Sequence, residues 1–513
     1  MSFPTATDAD IGLLLEGTFP FVAGGVSSWV NQIIRAFPEY RFACVFIGSQ
    51  PEDYGEMKYA LPDNVVHLET HYLRTPHRQA PPRAEEGHAE TFARVEELHD
   101  YLRAPGQNKF DSALFERVFR ELFSGGKLSE EAFLYSRCAW DYTTKQYRRF
   151  STDPSFVDYF WTVRNMHQPL WTFARIAENL IPVRAFHSIS TGYAGFLGSL
   201  LKRQTGRPLI LSEHGIYTKE RKIDLFQSEW IKDSRNLFHK NPAEISYIRR
   251  LWIRFFESLG RMCYDSADII TALYEANRQR QIADGADPAR TRNIPNGINL
   301  QRLAPLRAKR PETPPPVLCL IGRVVPIKDV KTFIRAMRIV VNRLPEAEGW
   351  IAGPTDEDPD YGLECMNLTA SLGLADRVKF LGFQKIDDIL PKIGVMILSS
   401  ISEALPLVIL EGYAAGVPTV ATDVGSCRQL VYGFDEDDQA LGPSGRVVRI
   451  ADPQALADAS LELLTDIDGW RAAQQSGIRR VEKYYTQELM IERFRDVYRE
   501  ALDRQPETPG GKG

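Results

Sequence analysis

The chain contains 513 residues, which at roughly 100–200 residues per domain suggests two to four domains. Hydrophobic residues make up 43% of it and charged residues 25%, a balance that excludes collagen-like, disulfide-scaffold and fully disordered proteins. The formal net charge is −5, from 62 Lys and Arg against 67 Asp and Glu, so no overall basic field for nucleic acid or anionic lipid is expected.

The six cysteines indicate a reducing compartment. None forms a CxxC pair or lies at zinc-binding spacing from a histidine, and most stand in apolar, strand-like runs, so buried free thiols are predicted. The opening MSFPTATDAD has neither the positive charge nor the apolar run of a signal peptide. Because no apolar run reaches the roughly 18–20 residues that span a bilayer, the expected location is the cytoplasm.

The first predicted elements form the beginning of a parallel α/β sheet. Residues 11–15 are a short apolar run, typical of a strand covered on both faces. After a loop, apolar residues recur at helical spacing over 26–37 and predict a helix with one buried face. Residues 41–48 return as a strand, and this order is typical of parallel sheets.

Residues 75–180 interrupt this rhythm and are interpreted as a helical insertion in the first domain. The stretch 75–90 is rich in Pro, Arg, Glu and His and predicts an exposed loop. Residues 90–180 are helical in pattern, and their aromatic side chains are expected in the core more often than on a sugar-stacking surface. These aromatic residues are Trp140, Tyr142, Tyr159, Phe160, Trp161 and Trp171.

Strands and helices alternate again from residue 183 onwards. Predicted strands lie at 183–187, 208–213, 267–272, 291–295, 317–322, 348–353, 377–381, 394–398 and 417–421. Predicted helices lie at 193–204, 245–264, 274–284, 329–343, 361–373, 406–415 and 485–503, before a disordered TPGGKG tail.

A Pro-rich, charged linker, RAKRPETPPP at 307–316, is the best candidate domain boundary. We therefore predict a first Rossmann-like domain over 1–306 and a second over 307–480. Residues 481–513 are expected to contain a helix that crosses back, followed by the tail. Two such α/β units place a ligand cleft between the carboxyl ends of their sheets.

Two loops at predicted strand ends carry groups that suit phosphate. Gly24 and Gly25 precede the first helix, where free N–H groups favour anions and glycine permits close approach of a ligand; a plain turn with a serine cap is equally expected. Arg323 and Lys328 follow the first strand of the second domain in GRVVPIKD. Two cations five residues apart suit a diphosphate, and an ordinary solvated loop is the alternative.

Two glutamates bracket a buried helix in SEALPLVILEGYAAGVP at 402–418. Pro406 fits the first turn of this helix, which is apolar nearly all round, so Glu411 is costly there unless it is bonded. Glu403 and Glu411 would lie at most about 12 Å apart along a helix, and both could accept hydrogen bonds from vicinal hydroxyls. The helix start between them would face a diphosphate. The alternative is a structural, ion-paired Glu411 with a surface Glu403.

His187 and His214 each follow a predicted strand of the first domain, and both are expected to face the cleft. A structurally satisfied histidine is the alternative for each of them. Neither belongs to a Ser/His/Asp or HExxH pattern, so a hydrolase or zinc site is not indicated.

Together, these elements resemble the retaining, nucleotide-sugar-dependent glycosyltransferases of the GT-B fold, of the family-four type. The resemblance covers nearly the whole chain outside 75–180 and is most specific in the Glu403/Glu411 element, with EGYAAGVPTVATDVGS after it. GRVVPIKD and IPNGI support it. The opening IGLLLEGTFPFVAGGVSSWVNQII, the insertion and LSEHGIYTKER are similar to a narrower group, the cytosolic PelF glycosyltransferases of Pel exopolysaccharide biosynthesis.

The resemblance implies a GT-B fold, with two Rossmann-like domains facing each other across a cleft. It implies transfer of a hexose or N-acetylhexosamine, with retention of configuration, from a UDP-sugar donor to a growing Pel-type biofilm polysaccharide. It implies no metal and no other cofactor. The implied partners are the polysaccharide acceptor and an inner-membrane synthesis and export complex approached from the cytoplasm.

The resemblance also implies roles for single residues. Arg323 and Lys328 would neutralise the departing diphosphate, Glu403 would hold hydroxyls of the donor sugar, and Glu411 would bind the ribose. His214 would contact the sugar or assist the leaving group.

Other donor contacts are implied to come largely from the backbone. Gly24 and Gly25 would approach the phosphate or the transferred sugar, and groups near Phe383 and Gln384 would hold the base. The two residues that begin the helix facing the diphosphate are Leu407 and Val408.

The chain departs from the pattern of many relatives after the first glutamate. Ala404 stands where they have glycine, and Pro406 lacks a backbone N–H, which leaves the donor sugar open. Two other functions also stay open. One is a UDP-sugar epimerase on the same fold, which would turn over its donor without an acceptor, and the other is a non-catalytic scaffold subunit of an exopolysaccharide complex.

Overall fold

The computed structural model describes residues 3–74, 85–103, 111–152, 155–227 and 246–507. Its chain divides into two compact units: unit 1 comprises Met1–Asn293 and Arg495–Gly513, and unit 2 comprises Ile294–Phe494. In the described ranges each unit is built on one parallel sheet covered by helices. The predicted α/β class is therefore confirmed.

The strands of unit 1 form a seven-stranded parallel sheet. They are β1 (Ala9–Glu16), β2 (Phe42–Gly48), β3 (Val65–Tyr72), β4 (Val183–Ser188), β5 (Leu209–Glu213), β6 (Ile269–Ala272) and β7 (Thr291–Asn293). Their order across the sheet is β3-β2-β1-β4-β5-β6-β7. Strands β1, β2 and β4 are almost wholly buried because helices cover both faces of the sheet, which explains their continuous apolar runs.

The helices of unit 1 fall into two sets. The first set follows strands of the sheet: α1 (Gly25–Ala36), α8 (Tyr193–Thr205), α9 (Tyr217–Gln227), α10 (Tyr247–Ser266) and α11 (Glu275–Ala283). The second set lies between β3 and β4, where the insertion was predicted: α2 (Ala89–Arg103), α3 (Ser112–Phe119), α4 (Glu130–Tyr135), α5 (Arg137–Phe150), α6 (Phe156–His167) and α7 (Pro169–Asn179). Most of the loop predicted at 75–90 lies outside the described residues.

The aromatic residues of the insertion divide between core and surface. Tyr142, Tyr159 and Trp171 are buried, as predicted. Trp140 and Trp161, on α5 and α6, are each 48% exposed, so the expectation of core packing is wrong for these two. Both lie on the helix faces that point away from the core, a position that aromatic composition alone does not reveal.

Unit 2 contains a six-stranded parallel sheet. Its strands are β8 (Val317–Ile321), β9 (Glu348–Ala352), β10 (Val378–Gly382), β11 (Val395–Leu398), β12 (Thr419–Thr422) and β13 (Gly445–Val448), in the order β10-β9-β8-β11-β12-β13. Its helices are α12 (Leu300–Leu303), α13 (Val330–Arg343), α14 (Pro359–Ser371), α15 (Ile386–Ile389), α16 (Leu407–Ala414), α17 (Cys427–Tyr432), α18 (Glu436–Gln439), α19 (Pro453–Thr465) and α20 (Ile467–Tyr484). Helix α21 (Gln487–Asp503) begins in unit 2 and ends in unit 1.

The boundary between the units lies at 293/294, whereas the sequence analysis placed it at 306/307. Residues 294–306 belong to unit 2 because they bond there: the Ile298 N–H donates to the Tyr485 carbonyl at 3.0 Å. The Pro-rich segment 307–316 lies inside unit 2 as well, where the Arg310 guanidinium donates to the carbonyls of Leu390 and Ile393. Unit 1 resumes at Arg495 rather than at 481, and the predicted tail at 508–513 lies outside the described residues.

No helix in the described residues is both long enough and apolar enough to cross a membrane. All six cysteines carry free thiols, and five of them are buried. Burial raises the pKa of Cys44 to about 12 and that of Cys365 to about 11, so these thiols stay protonated at neutral pH.

A fully buried ion pair ties α20 to α18 in unit 2. Arg480 and Asp438 both have 0% side-chain exposure, and Arg480 Nε donates to Asp438 Oδ1 at 2.6 Å. The other guanidinium nitrogens donate to the Val431 carbonyl at 2.9 Å and the Gly442 carbonyl at 3.0 Å. Because these donors have partners, the charge is tolerated in the core.

Asp438→Ala is expected to lower the free energy of unfolding by about 3–5 kcal/mol, since it leaves the Arg480 charge buried without a counterion. Urea unfolding measures the loss. The control is Asp458→Ala, which removes the half-exposed partner of Arg343 and is expected to cost less than about 1 kcal/mol. Equal losses in the two variants would contradict the assignment.

Candidate functional site

The predicted site residues divide between the two units. Gly24, Gly25 and His214 belong to unit 1. The others all belong to unit 2: Arg323, Lys328, Phe383, Gln384, Glu403, Leu407, Val408 and Glu411. Each group is positioned by the sheet of its own unit.

An ion pair between Lys328 and Glu403 lies at the carboxyl edge of the unit 2 sheet. Lys328 ends a short 3-10 turn after β8, and Glu403 follows β11, the strand that pairs with β8. Lys328 Nζ lies 2.5 Å from Glu403 Oε1, and Ser400 Oγ donates to the same oxygen at 2.7 Å. The two charged side chains are only 24% and 14% exposed, so solvent screens the pair weakly.

The loop that carries Glu403 is held by the residues that follow β12. Thr422 Oγ1 donates to the Ser400 carbonyl at 2.6 Å. Gly425 has a φ of 54°, and a Cβ at that position would lie 2.3 Å from the Glu403 carbonyl oxygen, so the site requires glycine. The segment TDVGS therefore sets the position of Glu403.

Helix α16 begins close behind this ion pair. Pro406 is its N-cap, and no side chain caps its first N–H groups. The first two residues of the helix, Leu407 and Val408, are half-buried. An uncapped start presents free backbone N–H groups and the positive end of the helix dipole, which favours an anion there.

Glu411 lies one turn inside α16. Burial raises the pKa of its carboxyl to about 7, with Arg302 lowering it and Asp387 raising it further. Arg302 Nη2 is 3.8 Å from Glu411 Oε1, a long contact, and Arg302 also faces Asp387 at 3.5 Å. Because this shared and half-exposed guanidinium does not fully compensate the buried carboxylate, the geometry fits a ligand-binding Glu411 better than a structural ion pair.

Arg323 follows β8 and pairs with a carboxylate of its own chain. Its Nη1 donates to Glu357 Oε2 at 2.7 Å, and the two side chains are 55% and 49% exposed. An exposed pair of this kind is weak, so a ligand anion can displace Glu357.

Phe383 and Gln384 follow β10 at the same edge of the sheet. The Phe383 ring is 82% exposed, and Gln384 Nε2 donates to the Leu381 carbonyl at 2.7 Å. A large aromatic ring left in solvent at a strand end is suited to stacking on a flat ligand.

The local conformation of Gly24 and Gly25 does not require glycine. Gly24 is the N-cap of α1 in an extended conformation, with φ 164° and ψ 177°, that any residue adopts. A Cβ at either position would meet nothing within 4 Å. The expected serine cap is wrong, because no side chain caps α1 and Ser27 is buried. Close approach of a ligand remains as a reason for glycine.

His214 lies after β5 with its ring packed on Trp29, at a centroid distance of 4.5 Å. Burial lowers the pKa of this imidazole to about 4, so the ring is neutral at pH 7. Its Nε2 atom is buried and has no hydrogen-bond partner among the described residues. A neutral imidazole with a free nitrogen can donate to or accept from a ligand.

His187 is structural, contrary to the expectation that it faces a ligand. It is fully buried, with Nδ1 2.9 Å from the Tyr498 hydroxyl and Nε2 2.8 Å from Ser212 Oγ. Burial lowers its pKa to about 3. The carboxyl-terminal helix α21, which supplies Tyr498, covers this side of the strand.

Glu213, which the sequence analysis did not single out, positions His214. Its buried carboxylate accepts hydrogen bonds from Thr191 Oγ1 at 2.9 Å, the Tyr264 hydroxyl at 2.7 Å and Gln281 Nε2 at 3.0 Å. These three hydrogen bonds, from the loop after β4 and from helices α10 and α11, fix the end of β5, where the loop with His214 begins. Its place beside His214 in SEHG was the only available signal.

The unit 2 partners Ser400, Arg302, Asp387 and Glu357 were also missed. Ser400 follows the apolar strand VMIL and precedes Glu403, which is a readable signal. The other three are distant in sequence from the residues they face. Within the described residues, no group of three or more His, Cys, Asp or Glu side chains is arranged to hold a metal ion.

Curated relatives match part of the chain. A D-inositol 3-phosphate glycosyltransferase of Salinispora tropica is 31% identical over 238 residues, covering 42% of this chain and 47% of that protein. The lipopolysaccharide core biosynthesis mannosyltransferase LpsB of Rhizobium meliloti is 30% identical over 179 residues, covering 34% and 49%. The chain thus spans about half the length of the curated relatives it matches.

Solved structures share the fold across nearly the whole chain. The Anabaena protein HepE, in complex with UDP, has a TM-score of 0.55 at 14% identity, covering 96% of this chain and 100% of that one. Sucrose-phosphate synthase from Thermosynechococcus elongatus also has a TM-score of 0.55, at 19% identity, covering 96% and 98%. The two parallel α/β sheets therefore belong to the GT-B fold predicted from the sequence.

Two family models match the chain in succession. Residues 9–289 match the model described as "Domain of unknown function (DUF3492)", which is more than half of the chain. Residues 315–466, which contain most of the unit 2 site, match the model described as "Glycosyl transferases group 1". The chain therefore belongs to the DUF3492 family, and part of its unit 2 is similar to the glycosyl transferases group 1 model.

Proposed function

We propose that the chain is a retaining glycosyltransferase that moves a hexose or N-acetylhexosamine from a UDP-sugar to a growing Pel-type exopolysaccharide. The observation that carries the proposal is the arrangement in unit 2. The half-buried Lys328–Glu403 pair stands beside the uncapped start of α16, and Glu411 lies one turn further along that helix. The match to a glycosyl transferases group 1 model supports glycosyl transfer, and the UDP bound to HepE supports the choice of nucleotide.

The donor would lie along the edge that these groups form. The diphosphate binds Lys328 and the N–H groups at the start of α16. Arg323 also binds the phosphate, after its ion pair with Glu357 breaks. Glu411 accepts hydrogen bonds from the ribose hydroxyls, and the base stacks on Phe383.

Glu403 is suited to hold the donor sugar. Its Oε1 already accepts from Lys328 and Ser400. Its Oε2 accepts no hydrogen bond from a described residue and is left for sugar hydroxyls. The ion pair thus orients one oxygen of the carboxylate and presents the other.

The chemistry we propose is attack by an acceptor hydroxyl on the same face from which the diphosphate leaves. The departing phosphate takes the proton of that hydroxyl, and the configuration at the anomeric carbon is retained. Lys328, Arg323 and the positive end of α16 stabilise the negative charge that develops on the leaving group. No resident metal enters this proposal. The neutral ring nitrogen of His214, in unit 1, is suited to a sugar hydroxyl.

We further propose that the protein works in the cytoplasm and is recruited to an inner-membrane synthesis and export complex. The insertion carries a half-exposed apolar surface on α5 and α6, formed by Trp140, Val157 and Trp161. Side chains of this kind in solvent are typical of a protein contact surface.

A donor screen tests the proposed activity. The purified protein is offered UDP-hexoses and UDP-N-acetylhexosamines with and without an oligosaccharide, and released UDP and sugar products are measured. We expect UDP release that rises with the oligosaccharide, with the sugar attached in its original anomeric configuration. Epimerised donor without UDP release would instead identify an epimerase. A protein that binds no UDP would be a scaffold.

Arg323→Ala is expected to weaken UDP binding at least tenfold, and Glu357→Gln is expected to strengthen it severalfold, because Glu357 competes with phosphate for the same guanidinium. Isothermal titration calorimetry measures both. Arg343→Ala is the matched control: Arg343 is 56% exposed and paired with Asp458 at 2.7 Å, nearly as Arg323 is paired with Glu357. Unchanged affinity in Arg323→Ala would remove this residue from the site.

The pH dependence of UDP-glucose binding tests Glu411, because burial raises the pKa of its carboxyl to about 7. Affinity should rise from pH 6 to pH 8 as the carboxylate form appears, and Glu411→Gln should give a weak, flat profile. Because of the same raised pKa, Glu411 makes the folded wild type less stable as pH rises from about 4.5 to about 7. The melting temperature of Glu411→Gln should therefore rise relative to that of the wild type over that range. A wild-type profile as flat as that of the variant would contradict the role.

A further inference from the structure

A cavity of about 820 Å³ opens at the carboxyl ends of the unit 1 strands. One wall comes from the sheet edge, where Glu16 ends β1 and His214 follows β5. The opposite part comes from the helical insertion, through Asn165, Gln168 and Pro169 at the junction of α6 and α7. The insertion is therefore part of the cavity, and not only an appendage of the sheet.

Three residues that line this cavity each carry a buried polar atom with no protein partner among the described residues. The atoms are Thr18 Oγ1, Ser190 Oγ and His214 Nε2. Each lies on a different loop at the carboxyl edge of the sheet. Buried polar atoms are normally paired, so unpaired groups on three residues that line one cavity favour a ligand with hydroxyl groups.

Two charged groups of the cavity, Glu16 and Arg221, are held in one network through Tyr217. Glu16 accepts from the Tyr217 hydroxyl at 2.9 Å and from the Ala194 N–H at 3.3 Å. Arg221 donates to the same Tyr217 hydroxyl at 2.9 Å and lies 3.9 Å from Glu16. This network fixes the Glu16 carboxylate, whose remaining lone pairs can accept from a ligand.

The lining does not favour a phosphorylated ligand. Three carboxylates, Glu16, Glu213 and Glu220, stand against two guanidinium groups, Arg74 and Arg221. These carboxyl groups outnumber the guanidinium groups. Aromatic rings complete the walls, as suits the apolar faces of a sugar; they are Tyr54, Tyr193, Tyr217, Trp252 and Phe256.

The insertion contributes two amide side chains. Gln168 ends α6 and begins α7, yet its side chain makes no capping hydrogen bond. Asn165 lies one turn earlier and is exposed. An amide presents both a donor and an acceptor, which is the pattern that vicinal sugar hydroxyls bind.

We infer that Asn165 and Gln168 of the insertion are specificity-determining residues, which bind hydroxyl groups of a neutral saccharide acceptor in the unit 1 cavity. The inference rests on the proposed function, because the saccharide is the acceptor of that reaction. It assigns to the insertion the selection of the acceptor, in addition to any part in recruitment.

The test is a set of binding titrations on the full chain in the presence of saturating UDP. The probes are maltotriose, cellotriose and tri-N-acetylchitotriose, with myo-inositol 3-phosphate as the charged comparison. We expect at least one trisaccharide to bind more tightly than the inositol phosphate. Asn165→Ala/Gln168→Ala should weaken that trisaccharide at least fivefold and leave the affinity for UDP unchanged.

The matched control is Gln204→Ala, an exposed amide on α8 that does not line the cavity, and it should change neither affinity. Thermal melting checks that the variants remain folded. If UDP binds but no trisaccharide does, or if the double variant binds the trisaccharide as the wild type does, the inference is wrong. Preferential binding of myo-inositol 3-phosphate also overturns it. If the wild type binds no UDP, the proposed function itself fails.

Discussion

The contact between Lys328 and Glu403 is the interaction on which the unit 2 site depends. It joins the loops that follow β8 and β11, two neighbouring strands of one parallel sheet. Parallel strands bring their carboxyl ends to the same edge, so residues 75 positions apart meet there. The pair holds a cation and a carboxylate with little exposure beside an uncapped helix start, and the other groups of the site are arranged around it.

The carboxyl ends of the unit 1 strands also meet at one edge of a parallel sheet, but the groups they carry have a different chemistry. These strand ends carry several neutral and internally paired groups. Glu213 is held by Thr191, Tyr264 and Gln281, and Glu16 is held by Tyr217. One unit therefore offers positive charge to an anion, whereas the other offers hydroxyl and amide groups to a neutral ligand. This division of chemistry fits the proposed transfer between a nucleotide sugar and a saccharide.

Much of the fold could be predicted because parallel strands covered on both faces are continuous apolar runs. Strands β1, β8 and β11 are such runs. Strand β3 was missed because VVHLETHY mixes polar and apolar residues at the edge of the sheet, and β13 because GRVV contains a glycine and an arginine and is not an apolar run. The domain boundary was misplaced because a Pro-rich, charged segment can also run along the surface of one unit, as 307–316 does.

The site was predictable where a residue follows a strand, and much less so where its role depends on long-range packing. Arg323, Lys328 and Glu403 are at the sheet edge because a strand delivers them there. His187 also follows a strand, yet Tyr498 from the far end of the chain covers it. Periodicity identifies strand ends but does not show which of them another element will bury. The partners Arg302, on α12, and Glu357, in the loop after β9, are distant in sequence from the site and leave no local signal.

The most direct test of the account is a structure of the protein crystallised with UDP. It should show the diphosphate within about 3 Å of Lys328 Nζ and of an Arg323 guanidinium that has left Glu357, with the ribose hydroxyls on the Glu411 carboxylate. UDP bound elsewhere on the molecule, with Arg323 still paired to Glu357 and Glu411 free of ligand, would contradict the claim that this edge of the unit 2 sheet is the nucleotide-sugar site.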